Sequence, residues 1–321
     1  MRGEAVAAIA PLIAASVPQA PLSALFLSFL VYSFGGWLWE STVCAMLNQG
    51  RFANSGFLLG PICPIYGVGA LASWLLLRDV QSPVAMFFVA GLLCCSIEYL
   101  VGVALEYTCG ARFWDYTDQP LNIQGRVCLY GFVLFGAASV FVCRVAEPWI
   151  LGGLSRVPGT ALELVALVVA VVLGLDWMMS AASWRRLSTR LEELRAQLAM
   201  RVDDSLGEAS DRMLEALPDA AVEGLSEAVD RTREGASELV GRLDPRRREG
   251  GAGEASHRVP RVSPRELTAW LSEAADGLVA RLGRRDLRFF NAFPQLKIPR
   301  YEGVISATHL KERVRDLFVR K

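Results

Sequence analysis

Residues 160–202 read TALELVALVVAVVLGLDWMMSAASWRRLSTRLEELRAQLAMRV, and the change at Trp184 decides the fold. Up to Trp184 the stretch is apolar for long enough to cross a hydrocarbon core of about 30 Å, which takes roughly 20 residues of helix. From Arg185-Arg186 onward, Leu187, Leu191, Leu194, Leu198 and Val202 recur every three or four residues among charges. That is the pattern of an amphipathic helix in water, of the kind that forms coiled coils. A single helical stretch therefore serves two solvents.

Four more apolar windows precede it, at about 22–47, 57–78, 82–107 and 127–150. The expected fold class is all-α: a polytopic membrane helix bundle of about five spans over 22–184, carrying a helical, partly coiled-coil tail. The charges divide in the same way. Residues 1–184 hold seven Lys and Arg (Arg2, Arg51, Arg78, Arg112, Arg126, Arg144 and Arg156) against ten Asp and Glu, a net of about −3. The remainder holds 26 against 23, a net of about +3, and neither value points to nucleic acid. Five spans put the two ends on opposite sides. The positive-inside tendency then places the tail in the cytoplasm and the N-terminus outside, in a multi-pass protein of the cell membrane. Trp114, Trp149, Trp177 and Trp184 fall at span ends, where aromatic belts are expected.

Residues 1–21 read as an interfacial or loose N-terminal segment, because Glu4, Pro11, Pro18 and Pro21 interrupt what superficially resembles a signal peptide. Pro218 interrupts the amphipathic extension, which covers 185–243 with a second helix at about 220–243. Residues 244–262 (DPRRREGGAGEASHRVPRV) form a Gly, Pro and Arg-rich stretch without periodicity, read as a disordered linker. In 263–321, Ser263-Pro264-Arg265-Glu266 supplies an N-cap, a first-turn proline and a capping-box acid. They predict a helix from about 264 to 283, and a last one is expected over about 303–319. Residues 281–321 carry eleven basic against four acidic side chains, interleaved with Phe289, Phe290, Phe293 and Tyr301.

All seven Cys lie before residue 150 without a C-x-x-C pair, and His257 and His309 stand alone. No zinc or iron–sulfur ligand set exists, and the cysteines read as small buried hydrophobes. No P-loop, Ser-His-Asp set or H-E-x-x-H occurs. The chain is not expected to be an enzyme or to need a cofactor, and an ATPase, if one is used, belongs to another chain. Acid–base chemistry by Asp115, Glu106 or Glu98 would lack a nucleophile, metal or cofactor motif.

Ionisable groups inside the windows carry the functional signal, since they are costly there: Glu40, Glu98, Glu106, Glu163 and Asp176. Gly91, Cys95, Glu98, Gly102 and Glu106 fall within a sector of about 80° on a helix. Ser33, Gly36, Glu40 and Cys44 make a second stripe, and Glu163, Ala166, Ala170 and Gly174 a third. Small residues on one face let membrane helices approach closely. The stripes either pack helices or line a polar path formed by Glu40, Glu98 and Arg126.

Gly60-Pro61-Ile62-Cys63-Pro64-Ile65-Tyr66-Gly67 cannot be unbroken helix, since two prolines remove donors and clash with preceding carbonyls. It is either an entry turn before a helix at Pro64 or a break at membrane depth, the kind of feature that marks transport sites. The connector holding Trp114, Asp115, Tyr116, Asn122 and Arg126 reads as an interfacial belt, a gate or a docking surface. In it Asp115 and Arg126 are candidate partners for each other or for Glu106.

These motifs together resemble the bacterial family of ABC-transporter type IV, or CmpB-like, permeases. The resemblance rests on Tyr32-Ser33-Phe34, Gly36-Trp37, Glu40, Asn54, Gly56-Phe57-Leu58 and the Gly60–Gly67 break. It continues through Glu98-Tyr99, Trp114-Asp115-Tyr116, Asn122, Gly125, Cys128-Leu129 and Asp176 to Phe293-Pro294-Gln295-Leu296-Lys297. The resemblance implies a membrane subunit that moves a small solute or ion, energised by a separate partner. The competing reading is a membrane anchor or scaffold whose tail recruits cytoplasmic proteins and whose basic, aromatic end lies on anionic lipid. Partners implied are membrane lipid, a separate ATPase or cytoplasmic protein, and further copies through the small-residue faces.

Overall fold

The structure, a computed structural model, describes residues 20–215 and 264–319, without the side chains of 202–215 and 264–268. The N-terminal segment up to residue 19, the expected helix at 220–243 and the linker at 244–262 lie outside the described residues. The described residues form helices and no strand. They fall into two compact units, Met1–Ala182 with Phe289–Lys297, and Ser183–Arg288 with Ile298–Lys321.

In the first unit, α1 (Leu22–Gln49), α3 (Pro83–Cys109), α4 (Leu129–Leu154) and α5 (Gly159–Glu215, apolar in its first part) are long and apolar enough to cross a membrane. Their ends follow local rules. Gly50 and Gly110 close α1 and α3 in the left-handed region, at φ 67° and 63°, where glycine carries no Cβ penalty. Ser82 caps α3 by accepting from the Ala85 N–H at 3.3 Å, with Pro83 at the first helical position. Both α1 and α4 contain one π turn, at Glu40–Cys44 and Val142–Ala146, and such turns frequently sit at functional positions.

The second apolar window departs from the expected five full spans. Only Pro64–Leu77 is helical there (α2, 14 residues), about 21 Å long and too short for the core. Residues 51–63 before it are not helical, because the prolines and glycines deny that stretch a helical ladder. They run back along α1: Ala53 N–H donates to the Ser41 carbonyl at 3.3 Å, Ser55 N–H to Ser41 Oγ at 3.0 Å, and Cys63 N–H to the Ser33 carbonyl at 2.9 Å. Ser33 lies about 24 Å along the helix from Gln49. The segment therefore runs back beside α1 as irregular chain and leads into α2, whose start at Pro64 is where the entry-turn reading places it.

Two of the three small-residue stripes are packing faces. A Cβ on Gly36 would overlap the Tyr66 ring, and one on Gly67 would overlap Phe29 and Ser33, so α1 and α2 touch backbone to side chain. On α3 and α4, Gly91 receives Phe132 and Gly136 receives Phe87. The stripe on α5 does not pack as expected: Glu163 and Ala170 are exposed and Gly174 has nothing within 4 Å. Periodicity marks a face but does not supply it with a neighbour. All seven cysteines are free, and Cys63, Cys94, Cys128 and Cys143 are buried.

The contrast gives a paired prediction. Gly136→Ala puts a methyl 2.7 Å from the Phe87 carbonyl oxygen, which the backbone cannot yield, and should cost about 2 kcal/mol. Gly174→Ala should be neutral or stabilising by about 0.5 kcal/mol. Thermal unfolding of the detergent-purified variants checks both, and equal midpoints would contradict the packing described.

The second unit is built from the remainder of α5, α6 (Pro264–Arg281), the start of α7 (Arg284–Ala292), a 3-10 turn at Pro299–Tyr301, α8 (Glu302–Ala307) and α9 (Leu310–Val319). Leu187, Leu191, Leu194 and Leu198 are buried, as are Leu278, Leu282, Leu287, Val304, Ile305, Leu310 and Val314. Arg186 pairs with Asp286 at 2.8 Å and Arg300 with Glu192 at 2.8 Å. The single last helix expected at 303–319 is divided, because His309 takes a left-handed φ of 49° with no Gly or Pro to announce it. Phe289, Phe290 and Tyr301 are buried in protein, so these rings are not available to a lipid surface.

Candidate functional site

The non-helical segment 51–63 frees backbone donors inside the bundle, and a carboxylate on α5 takes them. Asp176, 9% exposed, accepts from Leu59 N–H at 2.8 Å and Gly60 N–H at 2.7 Å, and Ser180 Oγ donates to it at 3.1 Å. A Cβ on Gly60 would stand 3.0 Å from the same carboxylate, a tight approach that the side chain would have to yield. Trp37 Nε1 donates to Asn54 Oδ1 at 2.6 Å, fixing the segment from the α1 side. Pro61 is exposed, Cys63 is buried, and Pro64 opens α2 one residue later.

Three pairs of a tyrosine and a carboxylate share one design. Tyr66, in the first turn of α2, donates its hydroxyl to Glu40 at the π turn of α1. Tyr116, from the connector after α3, donates to Glu98 Oε1 at 3.2 Å. Tyr32 donates to Glu147 Oε2 at 2.7 Å, Glu147 being fully buried and next to the π turn of α4. A neutral phenol gives a buried carboxyl group a hydrogen bond without adding a second charge, which suits a medium of low dielectric. The Tyr116 phenol is pushed well above its ordinary value, first by burial and then by Glu98 and Glu40. The Glu40–Tyr66 and Tyr116–Glu98 pairs are electrostatic neighbours, each hydroxyl bonded to its own carboxyl group.

Arg126 does not join it. Its guanidinium pairs with Glu106 at 2.6 Å, donates to Gln124 Oε1 at 2.6 Å and lies over the Tyr99 ring at 5.4 Å. Arg112 reaches the same Glu106 at 3.4 Å. Trp114 Nε1 donates to the Arg126 carbonyl at 3.0 Å. Asn122 staples the connector by donating to the carbonyls of Thr117 and Gln119, both at 2.9 Å, and accepting from Gly125 N–H at 3.1 Å. Gly125 (φ 67°) has no room for a Cβ beside Asp115 and Thr117. The connector is a knitted plug and its arginines are committed to it.

Asp115, expected to pair with Arg126 or Glu106, instead receives Lys297 Nζ at 2.5 Å, with Arg112 at a looser 3.9 Å. Residues 289–297 lie across both connectors of this end of the bundle. Arg112 and Lys297 exchange backbone hydrogen bonds at 2.8 and 2.9 Å, and Asp115 N–H donates to Gln295 Oε1 at 3.2 Å. Arg51 donates to Asn291 Oδ1 at 2.6 Å. Phe293 packs edge-on to Phe113 at 4.9 Å and Phe289 against Phe57 at 5.4 Å. Burial alone would raise the Asp115 carboxyl, but the Lys297 and Thr117 hydrogen bonds outweigh it and hold it at about 2.

The structure therefore brings Glu40, Tyr66, Glu98 and Tyr116 together beside the break at Gly60, Pro61, Cys63 and Pro64. It sets Glu106, Trp114, Asp115, Asn122 and Arg126 in the plug. Sequence reasoning left Tyr32, Glu147 and the role of Asp176 out of the site. The available signal was chemical matching: a solitary acid in an apolar helix needs donors, and a Gly-Pro break or a nearby tyrosine offers them.

A bundle of helices long and apolar enough to cross a membrane is a polytopic membrane protein. Residues 27–181 match the family model described as "Putative ABC-transporter type IV". The match stops one residue short of the boundary of the first unit at Ala182 and does not reach residues 289–297. No curated protein and no solved structure matches the chain.

Proposed function

We propose that the chain is a permease-like membrane subunit that moves a small solute or ion past the Glu40–Tyr66 and Tyr116–Glu98 cluster, energised by a separate partner. The observation that carries this reading is the non-helical segment 51–63 beside α1. Irregular backbone at membrane depth persists only where protein or a wet cavity serves it, and here it adjoins buried carboxyl groups that packing alone does not need. Residues 289–297, resting on connectors that carry Arg51, Arg112 and Arg126, support a cytoplasmic side for that end and for the tail. The absence of a P-loop from the sequence supports an ATPase on another chain.

The test is solute flux in liposomes containing the full chain, with and without co-purifying partners. Glu98→Gln and Glu40→Gln should lower flux at least about tenfold, an effect of about 1.4 kcal/mol on the barrier, with normal protein abundance. The scaffold reading draws on the packed second unit, an independent surface for cytoplasmic proteins. It predicts that both glutamine variants are silent in cells, and absence of flux under every gradient would leave it as the better reading.

A further inference from the structure

Glu98 is 6% exposed, and only one of its oxygens is served. Oε1 takes the Tyr116 hydroxyl, while Oε2 is buried without a hydrogen-bond partner among the described residues. Oε2 lies against α4, where a Cβ on Gly131 would stand 3.6 Å from it. The ionisable groups around the cluster are Glu40 and Cys44 on α1, Cys63 ahead of α2 and Tyr66 on it, Cys95 on α3 itself, Tyr116 on the connector, Cys128 ahead of α4 and Tyr130 on it. All of them are acids. Among the described residues no ion pair reaches Glu98 or Glu40, and the plug arginines are taken by Glu106 and Gln124.

A carboxylate buried in a membrane without a cation costs several kcal/mol. One positive charge at the open oxygen removes that cost at Glu98. A hard metal ion takes about six oxygens or more, and no group of three acidic, Cys or His ligands exists among the described residues. A single open oxygen fits a single hydrogen.

We propose that Glu98 binds one exchangeable proton on Oε2, with Tyr116 as the positioning residue that holds the carboxyl group in both states. On binding, an O–H bond forms at Oε2 and the carboxylate is neutralised. On release that bond breaks, the proton passes to water, and the anion stays on the Tyr116 hydroxyl. Coupling of this proton to solute movement rests on the permease reading, whereas its binding does not.

Infrared difference spectroscopy of the full chain in lipid, titrated with pH, tests the assignment. The expected result is a protonated-carboxyl C=O band at neutral pH that shifts in D2O, disappears at alkaline pH and is absent from Glu98→Gln. Tyr116→Phe should keep the band and move it to higher frequency, because the carbonyl oxygen loses its donor; this arm decides the question if the glutamine variant does not fold. A band that survives Glu98→Gln, or vanishes only in Glu40→Gln, overturns the proposal. So does a band that falls on adding Na+ or K+ at fixed pH, which would make the site a metal-cation site. A wild-type band without solute flux would retain the proton and remove the permease, and flux without the band would do the reverse.

Discussion

Asp176→Ala is expected to lower the thermal midpoint of the detergent-purified protein by about 10 °C. The side chain accepts two backbone N–H groups and one hydroxyl, and hydrogen bonds to a charged acceptor contribute about 1.5–3 kcal/mol each. Membrane interiors temper such figures to about 0.6–2 kcal/mol per bond, because the unfolded chain also finds partners there. A total near 4 kcal/mol is reasonable for three bonds whose donors have no helical alternative, and each kcal/mol moves the midpoint by about 2–4 °C in a protein of this size. Asp176→Asn keeps one acceptor oxygen and should fall between alanine and wild type. Ser180→Ala, which removes only the third donor, should cost about 1 kcal/mol. An unchanged midpoint for the alanine variant would falsify the idea that this carboxylate holds the non-helical segment.

Lys297→Glu should release residues 289–297 from the bundle. The lysine meets a side chain of Asp115 that is 7% exposed, and a second carboxylate at that position turns an attraction into a like-charge contact worth several kcal/mol. A change of about 3 kcal/mol shifts the docked fraction by a factor of about 100. Limited proteolysis near Phe293 would report it, and the exchange Asp115→Lys with Lys297→Glu should recover part of the protection. The pH dependence follows from the depressed Asp115 carboxyl, held at about 2 against an ordinary 3.8. The folded value is the lower one, so this contribution is complete above about pH 4 and is lost as the pH falls through about 2. Protection that weakens between pH 8 and 6 would point to a different group.

Hydropathy and local signals made much of the bundle legible. The apolar windows located the membrane segments, and the two prolines at 61 and 64 required a break. What the windows could not convey is depth. Residues 57–63 are as apolar as a span, and only their hydrogen bonds to Ser33 and Asp176 reveal that they fold back as irregular chain. The π turns at Glu40 and before Glu147 escape any periodicity of 3.6, because each is a one-residue defect that depends on tertiary packing. Glu98 and Glu40 were visible as costly charges, but their tyrosine partners come from elements distant in sequence. The Lys297–Asp115 contact spans 182 residues and follows no local rule.

Asp115 and Tyr116 are consecutive, yet they answer to different surroundings. One is tied to Lys297 on the outside of the plug, and the other reaches inward to Glu98. Their Cα atoms are about 3.8 Å apart across one planar peptide, and the bonds from Asn122 and the crowding at Gly125 leave the connector little slack to absorb a displacement. In mechanical terms the dipeptide is a short crank. The same short link thus carries both the outer contact with residues 289–297 and the inner hydrogen bond to a buried carboxyl group.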